Sequence, residues 1–184
     1  MRAPALTARK LTAQSAAKMF RRYFDACGAD ECRAAFGWDR PRVVHPNEMI
    51  FEYSVDAMPD VPEPRSDKFR AVVGFGLVEY DPRDYNDTEA MFVLGVFPEH
   101  RRRGYFTHIV DDLASRSREL GADTLSQIVF KDNDVHYKRV MKMAKLGPWI
   151  YAGDVWYPAP GYAYFVLPLE GTPDNVTEQE EDRP

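Results

Sequence analysis

The sequence predicts a mixed α+β domain in which helices flank a central, mostly antiparallel sheet. Three observations lead to this fold class. An amphipathic helical pattern with a glycine stop lies near the N-terminus, two apolar runs separated by turn residues follow in the middle, and then strand, glycine turn, helix, strand and helix succeed one another. The last series predicts two parallel strands joined by a right-handed crossover.

Composition sets the size and class of the protein. The chain has 184 residues, of which 45% are hydrophobic, so one domain with a substantial core is expected. We place that domain at 1–170. The remaining segment, 171–184, is acidic and almost without apolar residues, and we expect it to be disordered.

Several classes of protein are disfavoured. No apolar run approaches the roughly 20 residues of a membrane span, and the N-terminus lacks the continuous apolar segment of a signal peptide, so a soluble, cytoplasmic protein with no membrane partner is expected. The net charge of −5 disfavours broad binding to nucleic acid. Cys27 and Cys32 lie five residues apart, which is not a metal-binding or redox spacing, and no metal site is predicted.

The N-terminal half contains two helices and a hairpin. Apolar residues from Thr12 onward recur at helical spacing until Gly28, which predicts a first helix. A short second helix is predicted from Asp30 to Phe36, with Asp30 as its cap. Strands are predicted at Met49–Val55, Phe69–Tyr80 and Ala90–Phe97, the last two as an antiparallel hairpin, with a mobile proline-rich loop at 56–67. The absence of alternation in Ala90–Phe97 is typical of a strand buried on both faces.

In the C-terminal half the period changes to 3.6 after Gly104, which predicts a helix ending at Gly121. A strand at Thr124–Phe130 follows. Asn133 or Asp134 can cap the next helix, which ends at Gly147, and an aromatic segment supplies one or two further strands.

The segment "FPEHRRRGYF", 97–106, concentrates cations where a strand meets a helix. The N-terminus of a helix presents free backbone N–H groups and favours an anion. Because Arg101, Arg102 and Arg103 repel one another and oppose the helix dipole there, a phosphate or pyrophosphate would relieve both conflicts. The alternative is that the arginines only solvate a loop.

The stretch "VFPEHRRRGYFTHIVDDL" resembles the acyl-CoA-binding motif of the GNAT N-acetyltransferase superfamily. Val96, Pro98, Arg101 and Gly104 match its pattern, and the order of elements agrees across most of the chain. The resemblance implies the GNAT acyl-CoA N-acyltransferase fold with a splayed fourth strand, and acetyl-CoA as co-substrate. It also implies the following cofactor-binding residues: Leu94, Val96, Arg101, Arg102, Arg103, Gly104, Tyr105, Phe106 and Asn133.

Two positions depart from the family pattern. Phe106 stands where the motif usually has a small residue, and Met143 stands where many members have a tyrosine that protonates the leaving thiolate.

The catalytic residues are left with alternatives. Glu89 and Glu79 are candidates for the general base, although Glu89 is offset by one residue from the family's catalytic glutamate and would then face the other side of the sheet. For the acid, Tyr137 and His136 lie near Asn133, but core packing suits Tyr137 better. The C-terminal aromatic residues either line the acceptor side or belong to the core: Trp149, Tyr151, Trp156, Tyr157, Tyr162 and Tyr164.

The leading prediction is transfer of acetyl from acetyl-CoA to a primary amine, by direct attack in a ternary complex. The acceptor, a small amine or a protein amine, is not identified. Alternatives are an acyl-CoA-binding module without turnover, and an enzyme acting on amines of nucleic acids or nucleobases. The sequence leaves the oligomeric state open, with a homodimer among the options.

Overall fold

A computed structural model describes residues 6–56, 70–81, 88–155 and 161–169. The predicted mobile loop, most of the predicted hairpin turn, Trp156, Tyr157 and the predicted tail at 171–184 lie outside the described residues. The elements, in chain order, are β1 (Thr7–Lys10), α1 (Ala13–Cys27), α2 (Ala29–Phe36), β2 (Glu48–Asp56), β3 (Arg70–Glu79), β4 (Glu89–Val96), α3 (Tyr105–Glu119), β5 (Thr124–Phe130), α4 (Asp134–Leu146), β6 (Ile150–Val155) and β7 (Tyr162–Pro168).

The strands form a seven-stranded sheet in the order β1-β2-β3-β4-β5-β7-β6. All neighbouring strands are antiparallel except β4 and β5, which are parallel. This confirms the predicted mixed sheet, its hairpin and its parallel pair. Within the described residues, every helix is too short or too polar to span a lipid bilayer.

The parallel pair separates after three residue pairs. Its register runs only from Glu89↔Thr124 to Met91↔Ser126, whereas β4 stays paired with β3 up to Val96. On the other side, β5 stays paired with β7 up to Phe130. The two strands therefore diverge beyond Met91, which confirms the predicted splay of the fourth strand and leaves an opening in the middle of the sheet.

Each face of the sheet has its own hydrophobic core. Helix α3 packs Ile109 and Leu113 against one face, and α1 packs Phe20 and Tyr23 against Phe75 on the other. Because β4 is covered on both sides, its lack of alternation is explained.

One strand was not predicted, and two local predictions differ from the structure. The short, polar β1 pairs with β2 at the sheet edge and has no clear sequence pattern. Helix α2 begins one residue earlier than expected, with Gly28 at its N-cap, so Asp30 lies in its first turn instead of capping it. Leu120 follows α3 and is 37% exposed, although the helical period after Gly104 predicts it on the buried face of that helix.

Candidate active site

Two cavities meet where β4 and β5 diverge. The first, here called the loop cavity, has a volume of about 610 Å³ and is lined by Leu94, Val96, Arg101, Arg102, Gly104 and Asn133 among others. The second, the strand cavity, has a volume of about 340 Å³ and is lined by Trp38, Arg42, Glu79, Phe92, Gln127 and Tyr162 among others. Ala35, Phe36, Leu94, Phe106 and His136 line both cavities. A molecule in the loop cavity can therefore present one end to the strand cavity.

The backbone of the loop before α3 has an anion-binding form. Arg102 and Gly104 have φ values of +62° and +83°, the left-handed region that turns successive N–H groups to one side. No side chain caps α3, and no acidic residue lies in its first turn. The Thr107 N–H donates to the Gly104 carbonyl at 3.1 Å, and the N–H groups of Tyr105 and Phe106 have no side-chain partner among the described residues. A Cβ built on Gly104 would meet no described protein atom within 4 Å, which leaves space for a ligand beside this backbone.

Arg101 has structural partners as well as a place in the loop cavity. Its Nε donates to the Val96 carbonyl at 3.1 Å, and its Nη2 contacts Cys27 Sγ at 3.3 Å and Glu31 Oε1. Since α1 ends at Cys27 and Glu31 lies in α2, this side chain joins the motif loop to the N-terminal helices. A ligand phosphate would have to share or replace these contacts.

The other two predicted loop arginines are exposed. Arg102 lines the loop cavity, whereas Arg103 is not among the residues that line either cavity. Arg139 of α4 does line the loop cavity, and it was not predicted. Its place on the same face of α4 as His136, three residues earlier, was the available signal.

Phe106 supports these two side chains of α4. The guanidinium carbon of Arg139 lies 3.9 Å from the centroid of the Phe106 ring, and the His136 ring meets Phe106 edge-on at 5.6 Å. A cation over an aromatic face is favourable. The bulky residue at the end of the motif therefore holds a cation beside the loop cavity, which gives the unusual residue a physical reason.

The remaining predicted cofactor residues lie together. Leu94, Val96 and Tyr105 line the loop cavity. Asn133 does so as well, while its Oδ1 accepts from the His136 N–H at 3.4 Å as the cap of α4. The cap occupies the side-chain oxygen, so the amide nitrogen is the group that can donate to a ligand.

His100 belongs to the cationic segment 97–106 but was not predicted as a ligand-binding residue. It lines the loop cavity, and its Nδ1 is buried without a hydrogen-bond partner among the described residues. Burial, reinforced by Arg103 and Arg22, lowers its pKa. An anion beside this ring would raise the pKa again.

The two predicted carboxylates lie on the same sheet face but in different surroundings. Glu79 is exposed and lines the strand cavity. Glu89 is half-buried, lines neither cavity, and accepts hydrogen bonds from Ser126 Oγ and the Tyr164 hydroxyl. Burial, followed by the bond to Glu89, raises the pKa of Tyr164 to about 12. The register of β3 and β4 runs without a bulge from Gly74↔Val96 to Glu79↔Met91, and Glu89 lies two residues before Met91, on the same face.

The two candidate acids also differ. Tyr137 packs beside Phe165, with ring centroids 6.3 Å apart, and is not among the residues that line either cavity. His136 lines both cavities, and burial, followed by the charge of Arg139, lowers its pKa to about 4. His136 is therefore a neutral imidazole near pH 7. It can donate or accept a hydrogen bond, but it lacks the second proton with which an imidazolium acts as a general acid.

Of the described C-terminal aromatic residues that were candidates for the acceptor side, Tyr162 lines the strand cavity. Trp149 is buried in the core against Phe92, with ring centroids 6.0 Å apart. Arg42 and Gln127, which also line the strand cavity, were not predicted. Gln127 lies inside a predicted buried strand, where only the divergence of β4 gives its side chain access to a cavity.

Comparison with known proteins identifies the fold. No family model and no curated protein sequence matches the chain. Solved structures do match. The GNAT domain of S. lividans PAT is 14% identical, with a TM-score of 0.62 over 88% of this chain and 89% of that one. Spermidine N-acetyltransferase from Vibrio cholerae, solved with CoA and spermine, is 12% identical, with a TM-score of 0.61 over 89% of this chain and 95% of that one.

A domain from Methanocaldococcus jannaschii is similar to the same extent, with 9% identity, a TM-score of 0.63 and coverage of 90% of this chain and 99% of that one. The protein therefore has the GNAT fold, as the motif residues predicted. At these identities the similarity establishes the fold and leaves the reaction to be argued from the site.

Proposed function

We propose that this protein transfers an acetyl group from acetyl-CoA to a primary amine, by direct attack in a ternary complex. The observation that supports this most is the meeting of the two cavities at the splay of β4 and β5. One cavity is lined by cations and free N–H groups and the other is lined largely by aromatic and apolar side chains. Two substrates can enter from the two sides and touch at Leu94, Phe106 and His136.

The loop cavity suits CoA. The N–H groups at the start of α3, together with Arg101, Arg102 and Arg139, would face the pyrophosphate, and charge-assisted hydrogen bonds of this kind are the strong ones. The edge of β4 at Leu94 and Val96, released from β5, would pair with the pantetheine amides, and the Asn133 amide would donate to the same arm. Acetyl-CoA then supplies the activated acyl group as a thioester at the junction of the cavities.

The amine must lose a proton to react. At neutral pH an amine with a pKa of about 10.4 is deprotonated roughly one time in a thousand, a cost of about 4 to 5 kcal/mol. Glu79, the carboxylate that lines the strand cavity, is our candidate base, acting directly or through a water. The nitrogen then forms a bond to the carbonyl carbon, the carbon–sulfur bond breaks, and the electron pair leaves with the CoA thiolate, whose thiol-like pKa of about 8.5 makes it an acceptable leaving group. The second proton of the nitrogen passes to water or to the departing thiolate, which leaves a neutral amide.

A covalent acyl-enzyme is not part of this proposal. Neither cysteine lines either cavity, and Cys27 lies against Arg101 outside the junction. Direct attack also requires no strong acid at the leaving group, which agrees with Met143 at the motif position of the usual tyrosine and with Tyr137 packed on Phe165.

The test is release of free CoA thiol when acetyl-CoA and a panel of amines are mixed with the protein. We expect release with at least one amine, and we expect Glu79→Gln to lower kcat by about 100-fold, the lower end of a general base contribution. Glu119→Gln, an exposed glutamate at the end of α3, is the matched control and should leave the rate unchanged.

Glu89→Gln separates the two candidate bases. It replaces the charged acceptor of Ser126 and Tyr164, which both donate to Oε1, with a weaker amide oxygen. We therefore expect a loss of stability and a smaller loss of rate than in Glu79→Gln. A larger loss of kcat in Glu89→Gln would transfer the role of base to Glu89. Tight binding of acetyl-CoA with no thiol release from any amine, peptide or nucleic acid would instead favour a binding module without turnover.

A further inference from the structure

The strand cavity contains two buried hydrogen-bond donors that have no partner among the described residues. Gln127 is 5% exposed and lines the cavity, and its Nε2 makes no hydrogen bond within the described part of the chain. Arg42 lines the same cavity, and its Nε is likewise buried and without a partner there. A buried donor left unsatisfied is unfavourable, so polar atoms in this situation call for a ligand, a water or another explanation.

Arg42 is held in place for a ligand. Its Nη2 donates to Glu48 Oε1, and the Glu48 side chain is completely buried, with its other oxygen accepting from the His45 N–H at 3.0 Å. The guanidinium carbon also lies 5.8 Å from the centroid of the Trp38 ring. Because these contacts fix the guanidinium before any ligand arrives, little side-chain entropy remains to be lost on binding.

The two donors enter the cavity from different elements. Arg42 lies in the segment after α2, and Gln127 lies in β5, one residue beyond the last pair of β4 and β5. The same cavity is lined by the aromatic rings of Trp38, Phe92 and Tyr162. A ligand that satisfies both donors must carry hydrogen-bond acceptors and an apolar body, and a cavity of about 340 Å³ has the size of a small molecule.

We propose that the second substrate is a small amine that also carries a carboxylate and an apolar body, as an α-amino acid with an apolar side chain does. Arg42 and Gln127 bind the carboxylate, and Glu79 faces the amine. The inference rests on the proposed function, because it treats the strand cavity as the acceptor site. A linear polyamine does not fit this chemistry, since its protonated nitrogens only donate hydrogen bonds and cannot satisfy the donors of Arg42 and Gln127.

The experiment compares three matched acceptors, L-phenylalanine, its carboxamide and phenethylamine, with spermidine as a fourth. Thiol release from acetyl-CoA gives kcat/KM for each, corrected for the fraction of neutral amine. We expect the acid to exceed phenethylamine at least tenfold, the carboxamide to lie between them, and spermidine to be the poorest. Equal values for acid and phenethylamine, or a preference for spermidine, would overturn the inference.

Variants assign the preference to the donors. Gln127→Leu removes the donor at similar volume, and we expect it to reduce the preference for acid over amine at least fivefold, mainly through KM of the acid. Gln14→Leu, an exposed glutamine on α1, is the control and should keep the preference. An equal loss for acid and amine in Gln127→Leu would mean that this side chain acts on the acyl donor, and the carboxylate site would be rejected.

Calorimetry keeps the inference separate from the proposed function. We expect phenylalanine to bind the CoA-loaded protein more tightly than phenethylamine does, and Gln127→Leu to remove the difference. If binding behaves in this way but no thiol is released, the carboxylate site stands and the transfer reaction fails. If thiol is released from amines but the two ligands bind alike, the reaction stands and the carboxylate site fails.

Discussion

The loop cavity and the strand cavity lie on either side of one opening in the sheet, yet they hold their charges differently. In the loop cavity, Arg102 and Arg139 are exposed, and the start of α3 adds uncapped N–H groups. In the strand cavity, Arg42 is paired with a completely buried glutamate and lies against aromatic rings. The exposed cations of the loop cavity suit a polyanion that remains partly hydrated when it is bound. The strand cavity suits a small ligand that is recognised by a few oriented donors.

The largest expected effect tests whether the loop cavity depends on close approach of a ligand to its backbone. Gly104→Val introduces a β-branched residue at φ +83° and fills the space beside the N–H groups. We expect acetyl-CoA to bind about 100-fold more weakly, or about 2.7 kcal/mol, with affinity measured by calorimetry.

Gly121→Val is the matched control for Gly104→Val. Gly121 has φ +90° and follows α3 at the opposite end, so its substitution brings similar backbone strain without touching the cavity. Both variants should lose stability, and Gly104→Val alone should lose affinity. Equal affinities would show that the phosphates do not approach the backbone at Gly104.

The second prediction concerns His136, which lines both cavities. Its pKa is lowered to about 4 by burial and Arg139, against about 6.5 in the unfolded chain. The neutral ring therefore contributes stability that is fully present above about pH 6.5 and is lost as the pH falls through about 4. The free energy of unfolding, measured in urea, should be lower at pH 4 than at pH 7.5. We expect His136→Gln to make this difference smaller by about 2 to 3 kcal/mol.

His108, exposed on α3, gives the control for this measurement. His108→Gln should retain the full acid dependence. If His136→Gln retains it as well, His136 is not held neutral by the fold, and a role as a proton donor at neutral pH becomes open again.

The third prediction separates two neighbouring arginines within the loop cavity. Arg102→Gln removes an exposed charge, so we expect about tenfold weaker binding of CoA, near 1.4 kcal/mol, with no change in Tm. Arg101→Gln removes the contacts to Val96, Cys27 and Glu31, so we expect a lower Tm in addition to weaker binding.

Arg118→Gln, an exposed arginine on α3, serves as the control for Arg101→Gln and Arg102→Gln and should change neither quantity. An unchanged Tm in Arg101→Gln would mean that its contacts to α1 and α2 add nothing to stability.

The smallest expected effect is the response of the two cavities to salt. Exposed charges are screened within about 10 Å at 0.1 M salt and within about 3 Å at 1 M. Raising NaCl from 0.05 M to 0.5 M should therefore weaken CoA binding about three- to fivefold, while the buried Arg42–Glu48 pair keeps binding of a carboxylate in the strand cavity nearly constant. An equal salt response at both sites would show that the charges of the strand cavity are screened as strongly as those of the loop cavity.

Much of the loop cavity could be predicted from sequence because its residues are local. Val96, Pro98, Arg101 and Gly104 lie within nine positions, and a strand, a left-handed glycine and a helix start follow from short-range patterns. The sequence could not show that Arg101 has partners on α1 and α2, because those partners are about 70 residues away in the chain. The contribution of Arg139 was also missed, since its position beside the cavity depends on the contact between α4 and Phe106.

The sequence by itself determined the order of the elements, the buried character of β4 and the cationic glycine turn before α3, because periodicity, glycine and charge act over a few residues. Only the tertiary structure decided that Glu79 lines a cavity while Glu89 is bonded to Ser126 and Tyr164, and that Arg42 and Gln127 share one cavity. These facts depend on strand register and on the divergence of β4 from β5, which arise from packing between residues far apart in the chain.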